Sequence, residues 1–444
     1  MLSGWGRTAP SRATVYSPRD ASEVQRLLGR GRGATIARGL GRSYGDAAQS
    51  AAGNVLDMTT MDSIGPIDSE AGTVTVDAGV SLDSLLRRTV PLGWFIPVSP
   101  GTRFVTVGGA VAADIHGKNH HRDGAFGDHV VAFELLSPDG ELRQVGFAND
   151  PDVFWATFGG MGLTGVVLKA TLRLLPIETS FMRVDTERAA DLDDVMARME
   201  AGDHRYRYSV AWLDCLAGGA GLGRAVLTRG DHATLDDLPA GGGPSARTFA
   251  PRTWLTAPRR VPATVLSRPT AVAFNEVWFR KAPRFQKGRL QSLASFFHPL
   301  DAVGEWNRLW GPGGFIQYQF VVPFGAEGVV REVLVRLQAA RVPSLLAVLK
   351  RFGPGHGLLS FPIAGWTLAL DVRADLPGLG RLLDSLDELV ATAGGRVYLA
   401  KDVRLRPDVL TAMYPGLGQW REIRARVDPS GVMCSDLARR LSLT

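Results

Sequence analysis

The stretch Ala37-Arg-Gly-Leu-Gly-Arg-Ser-Tyr-Gly-Asp46 decides the fold of this chain, because it places glycines directly after a short apolar run. The apolar run 34–37 is predicted to be a strand that leads into a loop. Gly39, Gly41 and Gly45 have no Cβ atoms, so the backbone N–H groups of that loop can approach a ligand closely. Such a loop suits a pyrophosphate. The loop does not end in Gly-Lys-Ser/Thr, so it is not a P-loop. It also lacks the dinucleotide fingerprint that opens a helix, which disfavours a nicotinamide-binding Rossmann domain.

A second glycine-containing segment, Pro100-Gly-Thr-Arg-Phe-Val-Thr-Val-Gly-Gly-Ala110, leads into the small apolar residues Ala110–Ala113. This pattern is expected where a chain packs flat against a large planar ligand. Each glycine segment alone is also typical of an ordinary turn. Their order and spacing together favour a cofactor site.

The segment His116-Gly-Lys-Asn-His-His121 contains a histidine cluster that superficially suggests a metal site. No carboxylate or thiolate lies at a ligand spacing from it, so no metal is predicted. Cys215 and Cys434 are far apart and are expected to be buried thiols rather than a disulfide or a zinc site.

The composition describes a globular enzyme of two domains or one large two-lobed unit: 444 residues, of which 45% are hydrophobic and 21% charged. No apolar run approaches the roughly 20 residues of a membrane span, and the N-terminus has no signal-peptide pattern. We therefore expect a cytoplasmic protein or one peripheral at the membrane surface. The net charge of +6 favours an acidic partner, such as a phosphorylated substrate or an anionic membrane face, and no nucleic-acid partner is predicted.

The first part of the chain, up to about residue 170, alternates short strand patterns with helical ones. We predict a helix over Ala21–Leu28 and a strand over Thr73–Val76. Ser81 is a candidate N-cap for a helix that continues to Arg88, and Ser137-Pro-Asp-Gly140 is a candidate hairpin turn.

From about Glu178 the pattern changes to longer helices and aromatic-rich strands, such as Tyr206–Trp212 and Phe315–Val322, which indicates a second domain. Between Leu238 and Asn275 there are several arginines, prolines and a Gly241–Gly243 run but no acidic residue. This mobile basic segment is either a surface excursion or a lid or membrane-facing flap over a substrate entrance.

These motifs, in this order, resemble the vanillyl-alcohol-oxidase class of FAD-dependent oxidoreductases, and within it the family of decaprenylphosphoryl-ribose 2′-oxidases. Further matching segments extend the resemblance over nearly the whole chain: Phe154–Thr157, Gly162–Gly165, Gly304–Arg308, Gln317–Gln319, Ser360–Ile363, Ala400–Asp402 and Ser435–Arg440. The resemblance implies an α+β fold. It also implies a split FAD-binding domain, residues 1–178 and 396–444, around a substrate domain of antiparallel sheet and helices, residues 179–395.

The cofactor implied by the resemblance is non-covalent FAD. Many members of the class attach the flavin through a histidine that precedes a serine, whereas here Arg42 precedes Ser43. The residues expected to bind FAD are Ala37, Arg38, Gly39, Leu40, Gly41, Arg42, Ser43, Tyr44, Gly45, Asp46, Gly101, Thr102, Thr106, Val107, Gly108, Gly109, Ala113, His116, Gly117, Val167, Tyr398 and Ala400.

The activity implied by the resemblance is oxidation of the 2′-hydroxyl of a polyprenylphosphoryl-β-D-ribofuranose to a 2′-keto sugar. A separate NADH-dependent keto-sugar reductase would complete the epimerisation to the arabinose donor of cell-wall arabinan. The expected catalytic residues are Lys401, as base or as fixed charge, His116 and Tyr44. The expected substrate residues are Lys118, Trp212, Phe297, Gln317, Gln319, Lys350, Thr367, Ala369 and Lys401, and the two glutamines alternate on one strand so that they share a face.

The chain departs from the family pattern at the substrate site. It has Ala369 in place of a cysteine, Thr367 and Met161 in place of asparagines, and Phe297 in place of a tyrosine. These changes leave open an oxidase of a soluble alditol or nucleoside-type sugar. A flavin-free binding subunit with the same fold is a third alternative.

Overall fold

The computed structural model of the chain describes residues 1–29, 33–239, 243–262 and 266–443. Its strands are β1 (Thr14–Tyr16), β2 (Thr35–Arg38), β3 (Asn54–Asp57), β4 (Ile64–Asp68), β5 (Thr73–Asp77), β6 (Trp94–Phe95), β7 (Val130–Leu136), β8 (Leu142–Gly146), β9 (Val166–Arg173), β10 (Leu175–Pro176), β11 (Phe181–Ala189), β12 (Tyr208–Leu213), β13 (Ala225–His232), β14 (Leu255–Thr256), β15 (Phe285–Ser292), β16 (Val303–Gly304), β17 (Phe315–Pro323), β18 (Ala347–Phe352), β19 (Gly365–Arg373) and β20 (Arg396–Val397).

Helices lie between many of these strands, and the longest helices are in the second half of the chain. They are α1 (Ala21–Gly29), α2 (Leu82–Thr89), α3 (Val107–Ala113), α4 (His120–Asp123), α5 (Pro151–Thr157), α6 (Leu192–Gly202), α7 (Arg268–Lys281), α8 (Leu293–Phe297), α9 (Glu327–Ala339), α10 (Leu379–Thr392), α11 (Pro407–Met413), α12 (Leu417–Val427) and α13 (Asp436–Arg440). Among the described helices, none is long and apolar enough to cross a bilayer.

Local sequence signals account for the boundaries of several elements. The Ser81 hydroxyl accepts a hydrogen bond from the Ser84 amide at 3.0 Å and caps α2, as predicted. The turn that joins β7 to β8 is closed by the Gly140 amide, which donates to the Ser137 carbonyl at 2.9 Å. Gly140 has φ +87°, a conformation that glycine adopts without strain.

The N-terminal part contains a parallel sheet of order β1-β3-β2 and an antiparallel sheet of order β4-β5-β9-β7-β8. The end of the chain returns to the parallel sheet, where Thr35 forms a parallel bridge with Met433. Helix α12 also packs against α5, so the C-terminal segment lies on the N-terminal part.

The central part is built on an eight-stranded antiparallel sheet of order β15-β11-β13-β12-β18-β19-β17-β20. Helices α6, α9 and α10 pack against it. Antiparallel sheets with helices on one side are typical of α+β proteins, which confirms the predicted fold class.

In its described residues, the basic segment between Leu238 and Asn275 contains one short strand, β14, which pairs with β16 in parallel, and the start of α7. Gly241 and Gly242 of the predicted glycine run lie outside the described residues. Four described residues of the segment, Thr253, Thr256, Leu266 and Phe274, line a cavity that is described below.

Candidate active site

A cavity of about 1300 Å³ lies between the glycine-containing segments and one face of the eight-stranded sheet. Its first wall is the first glycine loop, residues 37–45, together with the second glycine segment, residues 100–109. Its second wall is formed by side chains of β17, β18 and β19, and its third by residues between Thr253 and Trp310. A space of this size is large enough for a dinucleotide together with part of a second ligand.

The first glycine loop begins where β2 ends, at Arg38. Within the described part of the chain, the backbone N–H groups of Gly39–Ser43 donate to no protein acceptor. Gly41 has φ +64°, in the left-handed region that glycine tolerates best. The loop therefore offers consecutive free donors to the cavity, which suits the oxygens of a pyrophosphate.

The two glycine segments touch each other at Gly39. A Cβ atom there would lie 2.1 Å from Oγ1 of Thr106, so only glycine allows this approach. Thr106 is the N-cap of α3, and its hydroxyl accepts from the Gly109 amide at 3.2 Å. A Cβ on Gly108 would lie 2.9 Å from Cβ of Ala78, which makes this wall flat.

Arg42 occupies the position before Ser43 where many members of the class attach the flavin. Its guanidinium lies 4.0 Å from the ring centroid of Trp5 and donates to the Leu40 carbonyl at 2.7 Å. Among the described residues that line the cavity there is no cysteine, and His116 is the only histidine. The glycine loops and this set of side chains fit a non-covalently held FAD, and non-covalent attachment stays a prediction.

The register of β17 and β19 brings polar side chains to the cavity. Gln317 lies opposite Asp371, and Gln319 lies opposite Ala369. Because side chains alternate between the faces of a strand, these residues point the same way, and Lys350 on the adjacent β18 joins them in the cavity wall.

His116 follows the second glycine segment in the chain and contacts side chains of the second wall. Lys350 Nζ lies 3.1 Å from its Nδ1, and Gln319 Nε2 lies 2.9 Å from its Nε2. Burial, together with the nearby Lys350, holds the pKa of His116 well below its usual value. The imidazole is therefore neutral and is oriented by two neighbours.

The cavity carries the side chains of Lys118, Lys350 and Lys401. Burial lowers the pKa of each of them to about 7. For Lys350 the positive charges of the other two lysines lower the pKa further. Lys118 Nζ also donates to the backbone carbonyl of Phe296. An anionic group among these lysines would favour their charged forms.

Lys401 belongs to a second connected group. Its Nζ lies 3.7 Å from the ring centroid of Tyr44, a cation–π contact that favours the charged amine. Gln317 Nε2 donates to the Tyr44 hydroxyl at 3.2 Å and to Asp371 Oδ1 at 2.6 Å. Burial raises the pKa of Asp371 to about 7, and the Asp371 carboxylate in turn raises the pKa of Lys401.

The aromatic residues predicted for this site also line the cavity. The Trp212 indole donates to the Leu345 carbonyl at 3.1 Å, and its ring lies 6.4 Å from that of Trp278. Phe297 is buried. The Tyr398 hydroxyl donates to the Ala113 carbonyl at 2.8 Å, so Tyr398 joins the C-terminal segment to α3.

Most of the predicted site residues are brought together in this cavity. Those that line it are Ala37, Arg38, Gly39, Leu40, Gly41, Arg42, Ser43, Tyr44, Gly101, Thr102, Thr106, Gly108, Gly109, Ala113, His116, Gly117, Lys118, Val167, Trp212, Phe297, Gln317, Gln319, Lys350, Ala369, Tyr398, Ala400 and Lys401.

Gly45 and Asp46, both predicted to bind the cofactor, do not line the cavity. A Cβ on Gly45 would lie 1.9 Å from the Asp402 carbonyl oxygen, so the loop has turned towards the C-terminal segment. Asp46 accepts from Arg440 at 2.8 and 3.0 Å. Both residues anchor the loop instead of contacting the cavity.

Val107 and Thr367 also do not line the cavity. Val107 is fully buried in the core, and its amide donates to the Val80 carbonyl at 2.9 Å. The Thr367 hydroxyl donates to the Phe320 carbonyl at 2.8 Å and accepts from Gln319 Nε2 at 3.3 Å. Thr367 therefore acts behind the wall, where it orients Gln319.

Sequence reasoning missed several polar or aromatic residues of the wall, among them Asp371 and Trp5. Asp371 lies two residues after Ala369 on β19, so the alternation of the strand contained the signal that places it on the same face. Trp5 lines the cavity beneath Arg42, and no local pattern in the N-terminal segment indicated this contact.

Comparison with known proteins agrees with this geometry. A family profile described as FAD binding domain matches residues 12–146, and one described as D-arabinono-1,4-lactone oxidase matches residues 373–441. The chain is 45% identical over 450 residues to decaprenylphosphoryl-beta-D-ribose oxidase of Mycolicibacterium smegmatis, with 100% of this chain and 97% of the relative covered. It is 26% identical over 455 residues to alditol oxidase of Streptomyces sp., with 96% of this chain and 95% of the relative covered.

The matched profiles contain both glycine segments and the Tyr398–Lys401 region, while the full-length relative covers the sheet as well. The chain therefore belongs to the family of decaprenylphosphoryl-β-D-ribose oxidase, within the vanillyl-alcohol-oxidase class, and is an FAD-dependent oxidoreductase.

Proposed function

We propose that the enzyme oxidises the 2′-hydroxyl of a polyprenylphosphoryl-β-D-ribofuranose to the 2′-keto sugar. The observation that carries this proposal is the position of Lys118, Lys350 and Lys401 in a cavity that also has an extended apolar wall. A phosphate ester with a sugar on one side and a prenyl chain on the other matches that combination. The relative at 45% identity is named as an oxidase of this kind of substrate.

The lysines supply the phosphate site in this proposal. With pKa values of about 7, they are only partly charged in the free protein near neutral pH. A bound phosphate raises their pKa values by its opposite charge, so each becomes fully protonated when substrate is present. Charged lysines are unfavourable in the empty cavity, and a bound phosphate stabilises their charges. The three lysines therefore contribute to the affinity for phosphate.

At the reacting end, the bound FAD would supply the acceptor for a hydride from the carbinol carbon. Lys350 and Gln319 occupy both ring nitrogens of the neutral His116 in the free protein, so one of them gives way when His116 hydrogen-bonds the hydroxyl that loses its proton. Lys401, over the Tyr44 ring, becomes fully charged when the phosphate binds and then provides a positive potential beside the reaction.

The apolar wall receives the start of the prenyl chain in this proposal. It includes Trp212, Phe274, Trp278 and Val348. Polyols have no apolar group that would use this surface, and a nucleoside-type sugar has no phosphate for the three lysines. Their oxidation is therefore the weaker alternative, although alditol oxidase is a relative at 26% identity.

The remaining part of the proposal concerns the partners of the enzyme. The 2′-keto product requires a hydride from a reductant to give the epimer, and we assign this step to a separate NADH-dependent keto-sugar reductase that leads to the arabinose donor of arabinan. The lipid-linked substrate also implies contact with a membrane surface.

Anaerobic reduction of the bound flavin by a short-chain prenylphosphoryl ribofuranose tests the proposal. We expect loss of the oxidised flavin absorbance with this compound and little change with free ribose or alditols. Lys350→Gln is expected to raise the substrate concentration needed for half-maximal flavin reduction by at least about tenfold, because it removes one charge-assisted contact to the phosphate. The proposal would be overturned if alditols reduced the flavin rapidly and the prenylphosphoryl sugar did not reduce it.

A further inference from the structure

The hydroxyl of Thr367, behind the cavity wall, can only accept a hydrogen bond from its neighbour Gln319. Its oxygen lies 2.8 Å from the Phe320 carbonyl oxygen, and a carbonyl has no proton, so the hydroxyl is the donor in that bond. The single proton of the hydroxyl is thereby used. Towards Gln319, whose Nε2 lies at 3.3 Å, the same oxygen acts as an acceptor.

This acceptor fixes the orientation of the Gln319 side-chain amide, which has a donor end and an acceptor end. The end that faces Thr367 also faces His116 Nε2, at 2.9 Å. Because Thr367 requires a donor, this end is the NH₂ group, which has one proton for each of the two neighbours. Thr367 and Gln319 are both buried, so bulk water does not compete for these protons.

The orientation of the amide in turn determines which ring nitrogen of His116 carries a proton. A neutral imidazole has one N–H group and one acceptor nitrogen. Nε2 receives a proton from Gln319, so Nε2 is the acceptor and Nδ1 carries the proton. The rings of Phe352 and Tyr398 pack against the imidazole, with centroids 4.7 and 5.6 Å away, and keep each nitrogen beside its present neighbour.

We propose that Thr367 is a positioning residue that makes Nε2 of His116 the acceptor for the hydrogen bond of the reacting hydroxyl. The inference rests on the proposed function, because the hydroxyl is that of the proposed substrate. In the complex the hydroxyl donates to Nε2 in place of Gln319. An acceptor at this point polarises the O–H bond as oxidation proceeds, whereas an N–H group there would oppose loss of the proton.

The contact between Lys350 and His116 agrees with this assignment. Lys350 Nζ lies 3.1 Å from Nδ1, and it can accept the Nδ1 proton only as a neutral amine. Burial, together with the charges of Lys118 and Lys401, lowers the pKa of Lys350 to about 7, so the neutral amine is present in the free protein. Once a phosphate charges Lys350, the amine no longer accepts from Nδ1, whereas Thr367 and Gln319 still require an acceptor at Nε2.

The fixed orientation depends on a residue in which this chain departs from the family pattern. Thr367 replaces an asparagine, whose side-chain amide can present either its oxygen or its NH₂ group to a neighbour. A threonine whose proton is already donated presents an acceptor only. The choice of Nε2 as the acceptor nitrogen is therefore set by Thr367 in this protein.

Nitrogen-15 NMR of the histidine-labelled, FAD-loaded enzyme without substrate tests the inference, because protonated and unprotonated ring nitrogens differ in chemical shift. The chain has eight histidines, and the signals missing from His116→Gln identify His116. Above the pKa of Lys350, we expect the proton on Nδ1 in the unaltered enzyme. Thr367→Val lacks the hydroxyl, so the amide can turn its oxygen to His116, and the proton should move towards Nε2. Thr367→Ser keeps the hydroxyl and should restore the proton to Nδ1.

The rate of flavin reduction by a short-chain prenylphosphoryl ribofuranose is the second measurement. Thr367→Val is expected to lower the rate at saturating substrate by about tenfold, because a protonated Nε2 does not accept from the hydroxyl. The substrate concentration for half-maximal reduction should not rise, since Lys350 and the other lysines are unchanged. Thr367→Ser should recover most of the rate.

Thr179→Val is the matched control for the loss of a buried hydroxyl. Thr179 is buried and does not line the cavity; its hydroxyl donates to the Ala233 carbonyl at 2.7 Å and accepts from the Phe181 amide at 3.2 Å. We expect Thr179→Val to keep the His116 proton on Nδ1 and to keep its rate. Equal flavin-to-protein ratios show that both valine variants are folded, and an equal loss of rate in both would overturn the inference.

Other results also decide against the inference. They are a proton on Nε2 in the unaltered enzyme, a proton that stays on Nδ1 in Thr367→Val, and a proton that moves in this variant without any change in rate. The NMR measurement needs no substrate, so it is independent of the proposed function. If the prenylphosphoryl sugar reduces the flavin while Nε2 carries the proton, only the inference is refuted. If the sugar does not reduce the flavin of the unaltered enzyme, the proposed function fails, whatever the NMR result.

Discussion

Asp371 and Lys401 influence each other's protonation at the centre of the cavity. The Asp371 carboxylate raises the pKa of Lys401, and burial lowers it to about 7. The Lys401 charge is thus present below this pKa and is lost as the pH rises through it. Asp371→Asn removes the raising contribution, so the charge should be lost at a lower pH.

We therefore expect the alkaline fall of kcat/KM to move to lower pH in Asp371→Asn. At a pH above the new transition, kcat/KM should decrease by about tenfold for every pH unit that the transition moves. A pH profile of the reductive half-reaction measures this. Asp371→Glu keeps the carboxylate and should leave the transition close to its original position; an identical profile for all three proteins would contradict the coupling.

His116 should affect the rate of oxidation more than the binding of flavin, because its side-chain hydrogen bonds among the described residues are with Lys350 and Gln319. His116→Ala removes the group that is placed to bond the reacting hydroxyl, and we expect the rate of flavin reduction to fall by about a hundredfold. Single-turnover kinetics measure the rate, and the flavin-to-protein ratio serves as the control. A variant without flavin would assign His116 a role in retaining the cofactor.

Met161, one of the departures from the family pattern, has a backbone conformation that is unfavourable for its side chain. It has φ +53°, in the left-handed region where asparagine is more common than methionine. It also lines the cavity. The sequence indicated a replaced polar group here, but the backbone conformation became visible only in the structure.

At the scale of elements, the contact between the first glycine loop and α3 depends on a missing Cβ. Gly39→Ala would place that atom 2.1 Å from Oγ1 of Thr106 and separate the loop from the helix. We expect FAD affinity to fall by at least about tenfold, because the loop would lose its position relative to the second glycine segment. The flavin-to-protein ratio after gel filtration checks this.

Gly380→Ala is the matched control, because Gly380 lies in α10 and a Cβ there meets no atom within 4 Å. This variant should retain its flavin. Equal flavin loss from both variants would show that general destabilisation, and not the contact at Gly39, is responsible.

Arg440 on α13 holds the first glycine loop to the C-terminal segment. It donates to Asp46 Oδ1 at 2.8 Å and to Asp402 Oδ2 at 2.8 Å. Arg440→Ala leaves two largely buried carboxylates without their cation, which is expected to destabilise the protein by about 3 kcal/mol. Urea denaturation measures the change, and Arg439→Ala, with a more exposed partner, should cost under about 1 kcal/mol.

For the whole molecule, the attachment of the cofactor is the simplest global test. No cysteine lines the described part of the cavity, and Arg42 stands where many members of the class have the linking histidine. Denaturation with acid should therefore release all of the FAD into the supernatant. Flavin fluorescence that stays with the protein on a denaturing gel would contradict this.

The division of the chain into domains remains a proposal, with residues 1–178 and 396–444 on one side and 179–395 on the other. The bridge between Thr35 and Met433 supports a C-terminal return to the N-terminal part. Strand β20, however, pairs with β17 of the eight-stranded sheet, so the segment that starts at residue 396 touches both parts. Lys401 follows β20 by a few residues, so it lies both at the face of the sheet and against Tyr44.

By itself, the sequence determined the features that depend on neighbours along the chain. The glycine spacing predicted the cofactor loops, Ser81 predicted a helix start, and the alternation of Gln317 and Gln319 predicted a shared face. These follow from backbone geometry within a few residues.

Only the tertiary structure decided which distant groups meet. Asp371 joins Lys401 through strand register and chain return, Trp5 lies under Arg42, and Asp46 turns away from the cavity to Arg440. The physical reason is that burial and opposite charges shift pKa values and select contacts through space, over chain separations that no local pattern encodes.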